Sequence, residues 1–150
     1  MNQKNLMKAV VYNIKENERE LLALANAKEH DLTLISNPLS LGTIHYSIGK
    51  EAVVVSSDDV LDRAILDHLR KAGVQKIVTR SLTTDHIDLY HAQFLGMQIA
   101  NTPFPDRSPK GIAEQTIRHL NLWGSGRCVG AACCCKKDCN VVVNRKEKDD

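Results

Sequence analysis

The feature that most constrains this chain is an alternation: short β-branched runs recur along it, separated by stretches of helical spacing. Residues 8–14 (Lys-Ala-Val-Val-Tyr-Asn-Ile) read as a first strand, and 17–29 as a helix opened by a capping Asn17. Residues 31–36 and 52–57 follow as strands; the second holds Ala52-Val-Val-Val, a continuous apolar run of the kind buried on both faces of a parallel sheet. Between them, 41–48 reads as a short, weak helix. Ser57 or Asp58 is placed to cap a helix carrying Val60, Leu61, Ile65, Leu66 and Leu69, an apolar stripe that ends at Gly73. Strands over 76–81 and 97–101 flank a helix over 87–95, and Ser108-Pro109 opens a last helix over 112–123. Strands separated by helices imply right-handed crossovers onto one covered parallel sheet. The expected fold is α/β, a single flavodoxin-like three-layer domain with a parallel sheet of about five strands.

Composition narrows the function classes. A chain of 150 residues is one domain, and 43% hydrophobic with 25% charged residues excludes collagen-like, coiled-coil and wholly disordered readings. Lys+Arg 20 against Asp+Glu 18 leaves a net charge of +2, so no nucleic acid and no anionic membrane is expected as a partner. No apolar run approaches the ~18 residues of a membrane span, and the polar start is unlike a secretory signal. The expected compartment is the cytoplasm.

All five cysteines fall at 128, 133, 134, 135 and 139. Cys128, Cys133, Cys135 and Cys139, spaced C-x4-C-x-C-x3-C, are candidate ligands of one zinc, copper(I) or iron–sulfur centre. Arg127, Lys136 and Lys137 favour the thiolates, and Gly126 and Gly130 let the backbone wrap an ion. The paired C-x-x-C knuckles of a zinc site are absent, so redox or disulfide chemistry and an unligated segment remain open. We accordingly divide the chain into a domain over 7–123 and a Cys-rich C-terminal tail over 124–150. His86 and His119 are candidates for a cleft residue or a further ligand, against an ordinary surface or capping role. His30, His45, His68 and His91 have no partner evident from spacing, and Glu114 is spaced to pair with Arg118. Arg80 is suited either to gripping an anion in a cleft or to a capping or ion-pair role.

Several segments occur in order: Met7-Lys-Ala-Val-Val-Tyr, Val78-Thr-Arg-Ser, Asp85-His-Ile-Asp-Leu89, Leu95-Gly-Met, Ile99-Ala-Asn-Thr-Pro103 and Ser108-Pro-Lys-Gly-Ile-Ala-Glu-Gln-Thr116. Over roughly 7–120 the chain resembles the substrate domain of the D-2-hydroxyacid dehydrogenases, the D-lactate dehydrogenase branch above all. The resemblance implies a cleft for a small 2-hydroxy or 2-oxo acid, bordered by Val54 and Val55 at one strand end and by the Arg80-Ser81 turn. The sequence departs from the family at Leu82-Thr83-Thr84, where a glycine is usual, and at a longer Phe104-Pro-Asp-Arg107 loop, with Arg107 where a tyrosine commonly precedes Ser-Pro.

The family's NAD-binding domain, with its catalytic arginine, glutamate and histidine, has no counterpart in these residues. Gly124-Ser-Gly126-Arg-Cys-Val-Gly130 has the wrong spacing and context for a dinucleotide loop. NAD is therefore not expected without a partner chain, and neither is activity of the chain alone. The resulting expectation is a stand-alone binding or sensing module with a metal-binding or redox tail. The alternative is one half of a split NAD-dependent dehydrogenase completed by a separate NAD-domain chain.

Overall fold

A computed structural model of the protein describes residues 6–134. Five strands, β1 (Lys8–Val11), β2 (Asp31–Leu34), β3 (Ala52–Val55), β4 (Lys76–Thr79) and β5 (Gln98–Ala100), form one sheet in the order β2-β1-β3-β4-β5. Every neighbouring pair is parallel, with Val10 beside Thr33 and Val53, and Val53 beside Ile77. This is the doubly wound α/β arrangement that the alternation predicts.

Helices α1 (Glu16–Asn26) and α4 (Pro109–Gly124) lie together on one face. There Val11, Val54, Val78 and Ala100 meet Leu22, Ile117, Leu120 and Trp123. Helices α2 (Arg63–Ala72) and α3 (Leu89–Phe94), with a 3-10 helix over Leu41–Ser47, cover the other face. On that side Val10, Val53, Val55 and Ile77 pack on Leu61, Leu66, Leu69 and Ala92. Ala52 to Val55 are fully buried, as a run apolar on both faces requires.

Element ends differ from the sequence expectations for local reasons. Asn17 does not cap α1: Lys15 precedes the helix, and the Glu18 carboxylate accepts the Lys15 N–H at 2.8 Å. Neither Ser57 nor Asp58 caps α2, which starts after Asp62, whose side chain accepts from Ile65 N at 3.0 Å. Residues 56–61 stay out of the helix because the buried Asp59 carboxylate ties them to other loops, while Leu61 bridges to Ile87. That bridge also delays α3, which Asp88 caps through His91 N. The β1 ladder ends before Asn13, whose φ of 58° turns the chain toward α1.

Residues beyond α4 continue the sheet's packing. A 3-10 turn over Gly130–Ala132 leads into an antiparallel bridge between Cys133 and Ala100. Asn101 N donates to Ala132 O at 3.2 Å, and Cys134 N to Ile99 O at 2.8 Å. Val129 and Ala132 are buried beneath α4; Cys133 packs on that same side and Cys134 on the opposite one. The division at 123/124 therefore cuts through a packed unit. Among the described residues, no helix is long and apolar enough to cross a membrane.

Candidate functional site

In an open parallel sheet, ligands bind beyond the carboxyl ends of the strands, at the point where connections leave toward opposite faces. Here β1 leads to α1 on one face and β3 to α2 on the other, so that point lies between Asn13 and Ser56. Asp59 organises it. Its carboxylate accepts from Ser56 N at 2.9 Å, Ser56 Oγ at 3.2 Å, Leu39 N at 2.9 Å and Asn13 Nδ2 at 3.2 Å. Three loops are thereby held by one buried carboxylate whose lone pairs are satisfied by hydrogen bonds.

The end of β4 supplies a second polar cluster. Ser81 Oγ donates to Thr83 O at 2.9 Å and lies 2.7 Å from Thr79 Oγ1, which is 2.8 Å from His86 Nε2. Because each hydroxyl has one proton, Ser81 must accept from Thr79 and Thr79 from His86. Donor counting thus assigns the Nε2–H tautomer to His86. Burial lowers its pKa below the ordinary imidazole value, against the opposing pull of Asp59 and Asp85. Thr102, after β5, closes the cluster with its hydroxyl 3.4 Å from Ser81 O.

Val54 and Val55 border this region only through their backbone, since both side chains are fully buried on opposite faces of the sheet. The Arg80 guanidinium points inward. It donates to Tyr12 O at 3.1 Å and Asn13 O at 3.0 Å, and pairs with Glu18 at 3.4 Å. It thus forms an ion pair, while its Nε is buried without a hydrogen-bond partner among the described residues. Desolvation lowers its pKa, with Glu18 opposing that shift.

His119 is buried on α4 with Nε2 2.8 Å from Asn101 O, and desolvation lowers its pKa. His30 is a core residue bonded to Met7 N and Asn121, and His91 lies 2.6 Å from Asp67. Glu114 pairs with Lys110 at 2.8 Å, on the preceding turn, in place of the expected Arg118. Of the four candidate metal ligands, Cys128 and Cys133 are described, whereas Cys135 and Cys139 lie outside the described residues. Among the described residues, no three His, Cys, Asp or Glu side chains are grouped to hold a metal.

The turn from β1 into α1, Tyr12-Asn-Ile-Lys15, has no glycine, and α1 begins with Glu16 and Glu18. Acidic side chains at that helix start oppose a pyrophosphate, so these residues do not fit a dinucleotide. At the strand ends lie instead the hydroxyls of Ser56, Ser81 and Thr102, each held by internal hydrogen bonds.

Known proteins match this arrangement in sequence and in structure. Residues 8–135 match the family described as D-isomer specific 2-hydroxyacid dehydrogenase, catalytic domain. A D-lactate dehydrogenase of Streptococcus agalactiae serotype V is 34% identical over 118 residues, covering 77% of this chain and 35% of that protein. A 2-hydroxyacid dehydrogenase homolog of Haemophilus influenzae is 32% identical over 112 residues, covering 74% and 33% respectively. This chain thus spans about a third of the relatives it matches. The apo-structure of D-lactate dehydrogenase from Escherichia coli superposes with a TM-score of 0.64 at 30% identity, over 67% of this chain and 32% of that one.

Proposed function

Since the chain belongs to the D-isomer specific 2-hydroxyacid dehydrogenase catalytic-domain family, we propose that its crevice binds a small 2-hydroxy or 2-oxo acid, as a cytoplasmic binding or sensing module. The observation that carries this reading is the convergence of Ser56, Ser81 and Thr102 at the carboxyl ends of β3, β4 and β5, locked by Asp59 and by the His86–Thr79 chain. A floor already held by internal hydrogen bonds loses little freedom on binding. The acid's polar groups meet these strand ends.

A second reading, one half of a split NAD-dependent dehydrogenase, rests on the match of residues 8–135 to the catalytic domain of that family. Hydride transfer needs a nicotinamide held against the acid, and the acidic start of α1 does not hold one. Cys128, Cys133, Cys135 and Cys139 enter the proposal as ligands of a zinc, copper(I) or iron–sulfur centre or as redox thiols. Metal and reactive thiols counted together after anaerobic purification test that part, and metal-free, unreactive protein removes it.

For the acid site, we expect titration of the full chain with pyruvate, followed by nitrogen-15 NMR, to shift the amides of Ser56 and Ser81. Unmoved amides at saturating pyruvate overturn the reading. NADH oxidation by the purified chain alone overturns the binding-module form. Oxidation that appears only on adding a nucleotide-binding domain excised from a D-lactate dehydrogenase supports the split form.

A further inference from the structure

Arg107 sits in the loop between β5 and α4 with its guanidinium folded back on the start of that loop. Nη1 donates to the carbonyls of Thr102 and Phe104, and Nη2 lies 3.5 Å from Thr102 Oγ1. These contacts occupy one edge of the planar group, the edge formed by its two terminal nitrogens. The other edge, where Nε–H and the second Nη2–H lie side by side, makes no hydrogen bond among the described residues. Two parallel donors of this kind match the two oxygens of a carboxylate.

The location gives that edge its meaning. Thr102 Oγ1, which Arg107 touches, lies 3.4 Å from Ser81 O and 3.5 Å from Thr79 O, so the guanidinium borders the end of β4. Arg80, the other arginine at these strand ends, pairs with Glu18 beneath the crevice. Arg107 has no ion-pair partner among the described residues. Adjacent Asp106 bonds to Ser108, its Oδ1 2.6 Å from Ser108 Oγ, and these hydrogen bonds, with the charges of Lys110 and Arg107, hold its carboxyl below the usual range. Arg107 is half-buried, where a carboxylate pair is screened less than on open surface.

We propose that Arg107 is a specificity residue that selects acids bearing a second anionic group, so that the preferred ligand class is a 2-hydroxy or 2-oxo dicarboxylate. This rests on the acid-binding reading above and deepens it. The acid's first carboxylate and its 2-oxygen meet the Ser56 and Ser81 side of the crevice. The second carboxylate meets the side-on fork of Arg107.

D-Lactate and D-malate make a matched pair, since both are 2-hydroxy acids and only malate carries the extra carboxylate. The test is titration of the full chain with each, followed by nitrogen-15 NMR. D-Malate is expected to bind about tenfold or more tightly than D-lactate, the scale of one charge-assisted bidentate contact. Arg107→Met is expected to bring the two affinities together, D-malate losing about tenfold more affinity than D-lactate. Arg107→Lys, which keeps the charge and loses the fork, is expected to retain part of the preference and guards against loss of fold in the methionine variant. Equal affinities for the two acids, or a preference that survives Arg107→Met, overturns the selectivity while leaving acid binding intact. Failure of both acids to bind overturns both readings.

Discussion

At Arg80 one side chain joins the end of β4 to the loop after β1, since its guanidinium holds Tyr12 O, Asn13 O and Glu18 together. Breaking a buried ion pair costs about 3–5 kcal/mol, less where one partner is partly exposed. The Glu18 side chain is 25% exposed, against 4% for Arg80. Arg80→Met is therefore expected to lower unfolding stability by about 2–3 kcal/mol in urea, and a change within about 0.5 kcal/mol would rule out the clamp. A lone arginine after a strand advertises a cation but not its direction. The role of Asp59 is not legible in the sequence, because its donors come from residues 46, 20 and 3 positions away. Such a hub exists only once three loops meet, so spacing along the chain carries no trace of it.

Among the elements, the strands and the α2 stripe were legible because burial on one or two faces imposes a period on the sequence. Their ends were not. The expected cap at Ser57 or Asp58 gave way because Asp59 draws its neighbours into the loop network, and α2 starts only after Asp62. The pairing of 132–134 with β5 escaped for a different reason: cysteine clusters read as chemistry, while here Cys133 and Cys134 alternate across the sheet as residues of a strand do. Val129 and Ala132 anchor that segment in the core. Val129→Asp, which places a charge under α4, is expected to release it. Hydrogen exchange at the amides of Asn101 and Cys134 should accelerate well before that of β3. Equal protection in variant and parent would show that the pairing does not depend on the anchor.

For the molecule as a whole, the buried His119 and the half-buried His86 give stability a pH dependence with a definite sign. Desolvation lowers the folded-state pKa of both His86 and His119 beneath the ordinary 6.5. The unfolded chain therefore takes up protons first as pH falls, and stability is full above 6.5 and declines below it. Urea midpoints measured between neutral and mildly acidic pH should drop in the parent and drop less steeply in His119→Gln, where only the His86 contribution remains; a flat parent curve contradicts the assignment. The α/β class and parallel sheet were legible from alternation, and the ordered motifs pointed to the family that residues 8–135 match. The crevice was legible only by location, since its Asp59 network and the fork of Arg107 depend on contacts between distant loops.

The pairing of residue 133 with β5 also bears on how the chain is made. Synthesis runs from the N-terminus, so β1 to β5 emerge before the segment that shields the outer edge of β5. Until residue 134 clears the ribosome, that row of backbone N–H and C=O groups has no cover, and a neighbouring nascent chain can pair with it. The interval of greatest vulnerability is thus the time between the emergence of β5 and that of residue 134. Lengthening that interval should increase co-translational aggregation, even though the finished protein is unchanged.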